Sequence, residues 1–214
     1  MSAITAITAP AKHPNRRSLF VDGEFVAEVS AEIVEQLRLK VGDAADPADL
    51  ARILEREEEV RARERCLRWL EVRARSRREL QERLRQAGFA PAVAERVLAR
   101  LAQAGLVNDA AFAQALVHDR LRGGGLGRRR LRAELAKRGV ERDQIEATLS
   151  GTDAAGEAET CRQLALRQAF RYRRLPRAAA RRRLSGYLAR RGFSAQDVFQ
   201  AVDEALPDEP EAGG

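Results

Sequence analysis

The sequence is poor in the residue types that usually carry chemistry. Aromatic residues are 5% of 214 positions, with one Trp and two Tyr, and there are two cysteines, two histidines and one methionine. Cys66 and Cys161 cannot make a disulfide framework in a chain of this length, and neither stands at metal-ligand spacing. Each sits in an apolar helical stretch, so both are expected to be buried as small apolar side chains, in keeping with a reducing cytosol. His13 falls in the opening segment, and His118 is alone on a helix. No His-Glu-x-x-His occurs. No run approaches the ~20 apolar residues of a membrane span. The opening MSAITAITAPAKHPNRR has no charged start followed by a long apolar stretch, so it reads as a frayed tail and not as a signal peptide.

The remaining candidates for a reaction site also fail. The segment GGGLGRRR (123–130) brings glycines to a helix start, where phosphate can bind. It lacks the Gly-Lys-Ser/Thr ending of a P-loop, and no strand precedes it; it reads as a flexible link. Asp109 and Asp119 lie almost three turns apart on one helix. Asp109 is explained as a cap or first-turn acid, and Asp119 has Arg120, Arg122 and Arg132 as candidate partners. No catalytic, cofactor-binding or metal-binding residue is expected, and the chain is not expected to be an enzyme.

Charge is abundant: 33% of residues are charged and the formal net charge is +7. Its distribution is uneven. Residues 1–60 carry 7 basic and 12 acidic side chains, residues 61–100 carry 12 Arg and 5 Glu, and residues 162–191 carry 11 Arg and no acid. Clustered cations without local anions repel one another unless a polyanion or an acidic surface relieves them. Leu, Ala, Arg and Glu, all good helix formers, dominate the rest. High charge with few aromatics favours many small amphipathic helices over one thick core.

Residues 17–45 read as a small head. Two short apolar runs flank Asp22-Gly23, a tight-turn signal, with Phe20 and Phe25 on either side. Ser30 can cap a short helix that ends near Gly42. Such a hairpin needs support from that helix or from the body. Asp46-Pro47 starts the next helix, with 46–62 taken as a helical linker and helical character continuing to 73. The acidic block Glu57-Glu58-Glu59 reads as a solvated face. After it come a capping box at Ser76-x-x-Glu79, a stop at Gly88, a start at Pro91, a stop at Gly105 and a cap at Asn108-Asp109. That helix runs to the glycines at 123–125. A helix over 128–138 is closed by Gly139, and Ser194 with Asp197 opens the last one.

The body repeats. Leu80, Leu84, Gly88, Phe89 and Leu98 recur, 51 positions on, as Leu131, Leu135, Gly139, Val140 and Leu149. A further 53 positions on they recur as Leu184, Leu188, Gly192, Phe193 and Val202. Two leucines four apart make a core stripe, the Gly supplies a left-handed C-cap, and the apolar residue after it folds back onto the stripe. A helix precedes each pair: around Cys66, Leu67 and Leu70; around Phe112, Leu116 and Leu121; around Cys161, Leu164 and Leu166. The expected fold is mainly α: three tandem three-helix repeats (63–107, 108–152 and 153–206) forming an elongated curved body, with an N-terminal β-hairpin and helix head. Residues 1–16 and the acidic stretch 207–214 are expected to be disordered tails. Units of about 50 residues bury too little alone and complete their cores by stacking.

Three basic segments stand near the start of each unit's middle helix: Arg73, Arg75, Arg77 and Arg78; Arg128, Arg129, Arg130 and Arg132; Arg171, Arg173, Arg174, Arg177, Arg181, Arg182 and Arg183. Any single Arg reads better as a solvated cation whose stem covers a core edge. The last segment, with seven Arg and no acid between 171 and 183, points to partner binding. A stepped cationic surface of this kind suits a long polyanion or an acidic groove. Tyr172 and Tyr187 suit either base stacking or ordinary packing, and Trp69 reads as core.

The stretch Arg75-Ser76-Arg77-Arg78-Glu79-Leu80, with Leu84, Gly88 and Phe89 after it, resembles the opening motif of the RecX family. Gly105-Leu106-Val107-Asn108-Asp109, then Phe112-Ala113 and Asp119-Arg120, resembles that family's most recognisable segment. Gly127, Arg128 to Leu131, Glu134-Leu135 and Lys137-Arg138-Gly139-Val140 resemble its second-repeat pattern. The similarity covers about residues 60–205, more loosely in the third repeat, and the head looks like an extension that only some members carry. The chain is expected to be a cytoplasmic monomer, and the resemblance implies a three-repeat helical protein without a cofactor. It would bind RecA nucleoprotein filaments, lie in their helical groove, and limit their growth, ATP hydrolysis, strand exchange and co-protease activity in DNA repair and the SOS response. It also implies that DNA itself can be contacted. The alternative is a direct DNA- or RNA-binding helical module that acts without RecA.

Overall fold

The computed structural model describes residues 2–122, 125–151 and 154–207. Gly123 and Gly124, and the acidic stretch from 208 onward, lie outside the described residues. The chain divides into two compact units, Met1–Val107 and Asn108–Gly214, parted where the sequence places the boundary between its first and second repeats.

The first unit opens on an antiparallel sheet in the order β1-β2-β3, formed by β1 (Ile4–Thr8), β2 (Arg16–Val21) and β3 (Glu24–Ser30). Asp22 and Gly23 both take positive φ (52° and 86°), as a two-residue hairpin turn requires. Phe20 and Phe25 meet edge to face across the hairpin, ring centres 5.8 Å apart. The head is therefore three strands and not a two-stranded hairpin. Part of the stretch expected as a disordered tail is the edge strand β1: Ile4 is 2% exposed and packs with Val21 and Ala45. The amide of Ile4 donates to Asp43 O (2.9 Å) and that of Ala45 to Ser2 O (2.9 Å), so the loop before the long helix covers the outer edge of β1. A five-residue strand paired with a hairpin eight residues downstream carries no turn signal to announce it.

Ser30 caps α1 (Ala31–Gln36) through Ile33 N, and Asp46 caps α2 (Pro47–Val72) through Asp49 N. At the 100° per residue of an α-helix, Glu57 and Glu59 project from well-separated faces of α2, and both are buried, at 4% and 5% exposure. Glu57 takes Arg16 Nη1 (2.5 Å) and the amide of Ser30 (2.7 Å), tying the head to α2. Glu59 takes Arg96 Nε (2.6 Å) and Arg100 Nη1 (2.7 Å) from the far side. The acidic block is thus not a solvated linker face but a double anchor, because α2 is flanked by the sheet on one side and by a helix of the body on the other.

The second half of α2 joins α3 (Arg77–Gln86) and α4 (Pro91–Gln103) in the first three-helix domain. Its core gathers Cys66, Leu80, Leu84, Val97, Leu98 and Leu101, with Trp69 packed at the margin. Ser76 and Glu79 form the full reciprocal capping box on α3. In the second unit, α5 (Asp109–Arg122), α6 (Arg128–Lys137) and α7 (Arg142–Ser150) enclose Phe112, Leu116, Leu131, Leu135 and Leu149. The third domain, α8 (Ala154–Tyr172), α9 (Arg177–Arg190) and α10 (Ala195–Ala205), encloses Cys161, Leu184, Leu188, Phe193 and Val202. The repeated leucine pairs Leu80/Leu84, Leu131/Leu135 and Leu184/Leu188 are all at or below 1% exposure. At ~1.5–3 kcal/mol for each fully buried leucine, they are the main apolar contribution of each middle helix.

Candidate functional site

In the first basic segment most charges are already used. Arg73 makes a forked pair with Glu79 (3.0 and 3.1 Å), and Arg77 pairs with Glu95 (2.5 Å). Arg75 is buried at 7% exposure and donates Nε to Trp69 O (3.2 Å). Burial first, then the neighbouring guanidiniums of Arg73 and Arg83, lower its pKa. Its position makes it a structural residue of the α2–α3 corner. Arg78 is exposed and makes no ion pair among the described residues, but after the hydrogen bonds from Arg85 and Gln86 its charge also helps to lower the pKa of Glu82.

The second segment opens α6, and two of its four arginines are committed. Arg132 is held by Glu146 (2.7 and 2.8 Å), which in return keeps that carboxyl below its usual pKa. Arg128 donates Nη2 to Leu149 O (2.8 Å). The side chains of Arg129 and Arg130 are exposed and carry no ion pair among the described residues. Asp119 pairs with Arg120 (3.0 Å), the nearest of its three expected partners.

The glycines before α6 are not a flexible link where they are described. Gly125 abuts α8, where a Cβ would stand 2.4 Å from Thr160 Cγ2, and Gly127 is pressed against Gly192, where a Cβ would stand 2.3 Å from the carbonyl oxygen. Gly127 N donates to Arg191 O (2.9 Å) and Arg129 N to Gly192 O (3.2 Å). Arg128 N donates to Glu157 Oε1 (2.8 Å). Arg191, stacked over the Tyr187 ring at 4.9 Å, also reaches Gly125 O (3.2 Å).

The third segment runs from the end of α8 into α9. Arg181 is fixed by Asp203 (3.0 Å) and Leu206 O (2.6 Å), and Arg177 is half-buried in the first turn of α9. Arg173 lies over the exposed ring of Phe170 at 3.9 Å. Arg171, Arg174, Arg182 and Arg183 are exposed without an acidic partner among the described residues. No described acid of this domain is left over for them. Glu159 and Glu204 hold Arg162, Asp197 holds Ser194, Asp203 holds Arg181 and Glu157 holds the α6 amide. Arg162 and Gln163 together bring the Glu159 carboxyl down to about 2. Arg190, which the sequence reading passed over, lies one turn beyond Gly186, and its Nη1 would stand 3.2 Å from a Cβ there. Residues 182, 186 and 190 share one helix face, so Arg190 extends the Arg182/Arg183 cations toward the end of α9. Tyr172 and Tyr187 both pack against the third core.

Among the described residues no three His, Cys, Asp or Glu side chains gather as a metal would need, and no helix is long and apolar enough to cross a membrane. Burial pushes the Cys66 thiol up to about 11 and the Cys161 thiol up to about 12, so neither is a ready nucleophile. A cleft of about 270 Å³ between α1, α2 and α4 is lined by Ile33, Val60, Val97, Leu101, Glu59 and Arg100, and its carboxylate, Glu59, is already held by Arg96 and Arg100.

Comparison with known proteins gives this arrangement a family. Residues 62–101 match the model of the RecX first three-helix domain, 108–149 that of the second and 156–202 that of the third. A regulatory protein RecX of Streptomyces coelicolor is 44% identical over 150 residues, covering 70% of this chain and 80% of the relative. That of Thermobifida fusca is 42% identical over 168 residues, covering 78% and 86%, and that of Mycobacterium avium is 44% identical over 158 residues, covering 73% and 90%. A crystal structure of a regulatory protein RecX superposes with a TM-score of 0.78 at 25% identity, covering 98% of this chain and all of that one. A RecX structure from Lactobacillus salivarius shares the fold with a TM-score of 0.63, over 69% of this chain and 96% of its own. Three domain matches in order, with relatives 42–44% identical over at least 70% of the chain, place the chain in the RecX family.

Proposed function

We propose that this chain is a non-enzymatic regulator that binds RecA nucleoprotein filaments and restrains their growth and ATP hydrolysis, and with them strand exchange and co-protease activity. The observation that carries the reading is the set of exposed arginines left without acids among the described residues: Arg129, Arg130, Arg171, Arg174, Arg182 and Arg183. Unopposed guanidiniums repel one another, and forked pairing to carboxylate or phosphate relieves them. The family to which the chain belongs supplies the regulatory context. A binder shifts a filament between active and inactive states only by its difference in affinity for the two, so the proposed effect is a preference for one filament state.

Direct nucleic-acid binding would use the same cations, and salt separates the two readings. Anisotropy of a labelled single strand, bare or coated with RecA, is measured as salt is raised. The proposal expects much tighter association with the coated strand. Equal or tighter association with the bare strand, falling steeply with salt, would favour the direct binder.

A further inference from the structure

We propose that the third domain caps the middle helix of the second, so that the two display their unpaired arginines as one rigid surface. Glu157, Gly127 and Gly192 then act as its positioning residues. At the 51-residue shift that superposes the leucine stripes, Ser76 corresponds to Gly127 and Glu79 to Arg130. In the first domain Ser76 and Glu79 cap α3 from within. In the second both capping side chains are gone, and the first turn of α6 contains no acid. Three arginines at a helix start are also the wrong sign for the positive end of the helix dipole, and the first amides still require acceptors.

Those acceptors come from the third domain. Arg191 O, Glu157 Oε1 and Gly192 O receive the amides of Gly127, Arg128 and Arg129 at 2.9, 2.8 and 3.2 Å. The contact is backbone against backbone: a Cβ on Gly127 would lie 2.3 Å from Gly192 O, and one on Gly192 would lie 2.3 Å from Arg130 N. Only glycine at both positions permits this approach. The C-terminal carbonyls of α9 thus meet the N-terminal amides of α6. This places Arg129 and Arg130 at the end of α9 toward which Arg190 extends the Arg182/Arg183 face. The display of Arg129 and Arg130 therefore depends on residues of another domain.

Gly127→Ser in the full chain tests this. Gly127 has φ −72° and ψ 158°, the same extended conformation as Ser76 (φ −71°, ψ 158°), so the serine can cap α6 locally while its Cβ forces the domains apart. Amide exchange followed by NMR is expected to be slow at Gly127 and Arg129 in the parent and to rise about tenfold or more in the variant, with helix content kept. Fast exchange in the parent, or unchanged slow exchange in Gly127→Ser, would overturn the joint.

The consequence for function rests on the filament-binding reading and is measured separately. Charge reversal of Arg129 and Arg130 is combined with reversal of Arg182 and Arg183 in a double-mutant cycle on binding to RecA-coated single strands. Coupling in the parent that vanishes in Gly127→Ser is expected. Additive effects in the parent, with the joint amides still protected, would overturn the single-surface claim and leave the joint standing; no binding by the parent would remove the filament reading instead. Glu157→Gln, which keeps an acceptor at Arg128 N, is expected to preserve the coupling that Glu157→Ala weakens.

Discussion

Arg181 and Arg182 are neighbours in sequence with opposite roles. Arg181 is tied to Asp203 and the Leu206 carbonyl, whereas Arg182 points to solvent with no acid in reach among the described residues. Reversing Arg181 to Glu is therefore expected to cost about 1 kcal/mol of stability, since Asp203 is half exposed and screened. Reversing Arg182 and Arg183 should leave the thermal melting curve unchanged and act on partner binding alone; melting both variants by circular dichroism checks the difference. Glu59 is the acidic counterpart. Burial works to raise its pKa, but hydrogen bonds from Arg96 and Arg100 and the nearby charge of Arg56 outweigh it, so the net shift is downward. A carboxyl whose folded pKa lies below its unfolded value of about 4.3 contributes stability above that pH and loses it as pH falls through the folded value. Glu59→Gln should cost about 1–2 kcal/mol near neutrality, a figure reduced because Arg96 and Arg100 are more than a third exposed. Denaturant unfolding at pH 7 and pH 3 should show the gap between parent and variant closing at the lower pH; a gap independent of pH would contradict the assignment.

Helix boundaries were legible because they are written locally. Ser30, Asp46-Pro47, Ser76-x-x-Glu79, Asn108 and Ser194 each stand where a helix begins, and each side-chain oxygen accepts an amide of the first turn. Ser76→Ala should accordingly cost about 1 kcal/mol, measured by urea unfolding, and a negligible loss would mean that α3 does not depend on its own cap. What stayed hidden is what depends on distant partners. β1 pairs with a strand eight residues downstream. Glu57 and Glu59 look like solvated charge until α2 is known to be flanked on both sides. The Gly125–Gly127 segment looks loose until Thr160 and Gly192 are seen against it. The arginine clusters were legible as clusters, but which of their members are free was not. Pairing is decided by acids such as Glu95, Glu146 and Asp203, each at least 14 residues away in sequence.

On the scale of the whole molecule, each three-helix domain is a small core closed by a leucine pair, and the surface chemistry lies outside those cores. The proposed work of holding another assembly falls to the uncommitted guanidiniums on that surface. The most direct test is RecA-driven ATP hydrolysis on single-stranded DNA, followed as this protein is added. The account predicts a dose-dependent fall in hydrolysis that Arg182→Glu/Arg183→Glu largely abolishes and that the mutation of an internally paired cation, Arg132→Gln, leaves in place. Hydrolysis unaffected by the parent protein, or inhibited equally by the charge-reversed variant, would contradict it.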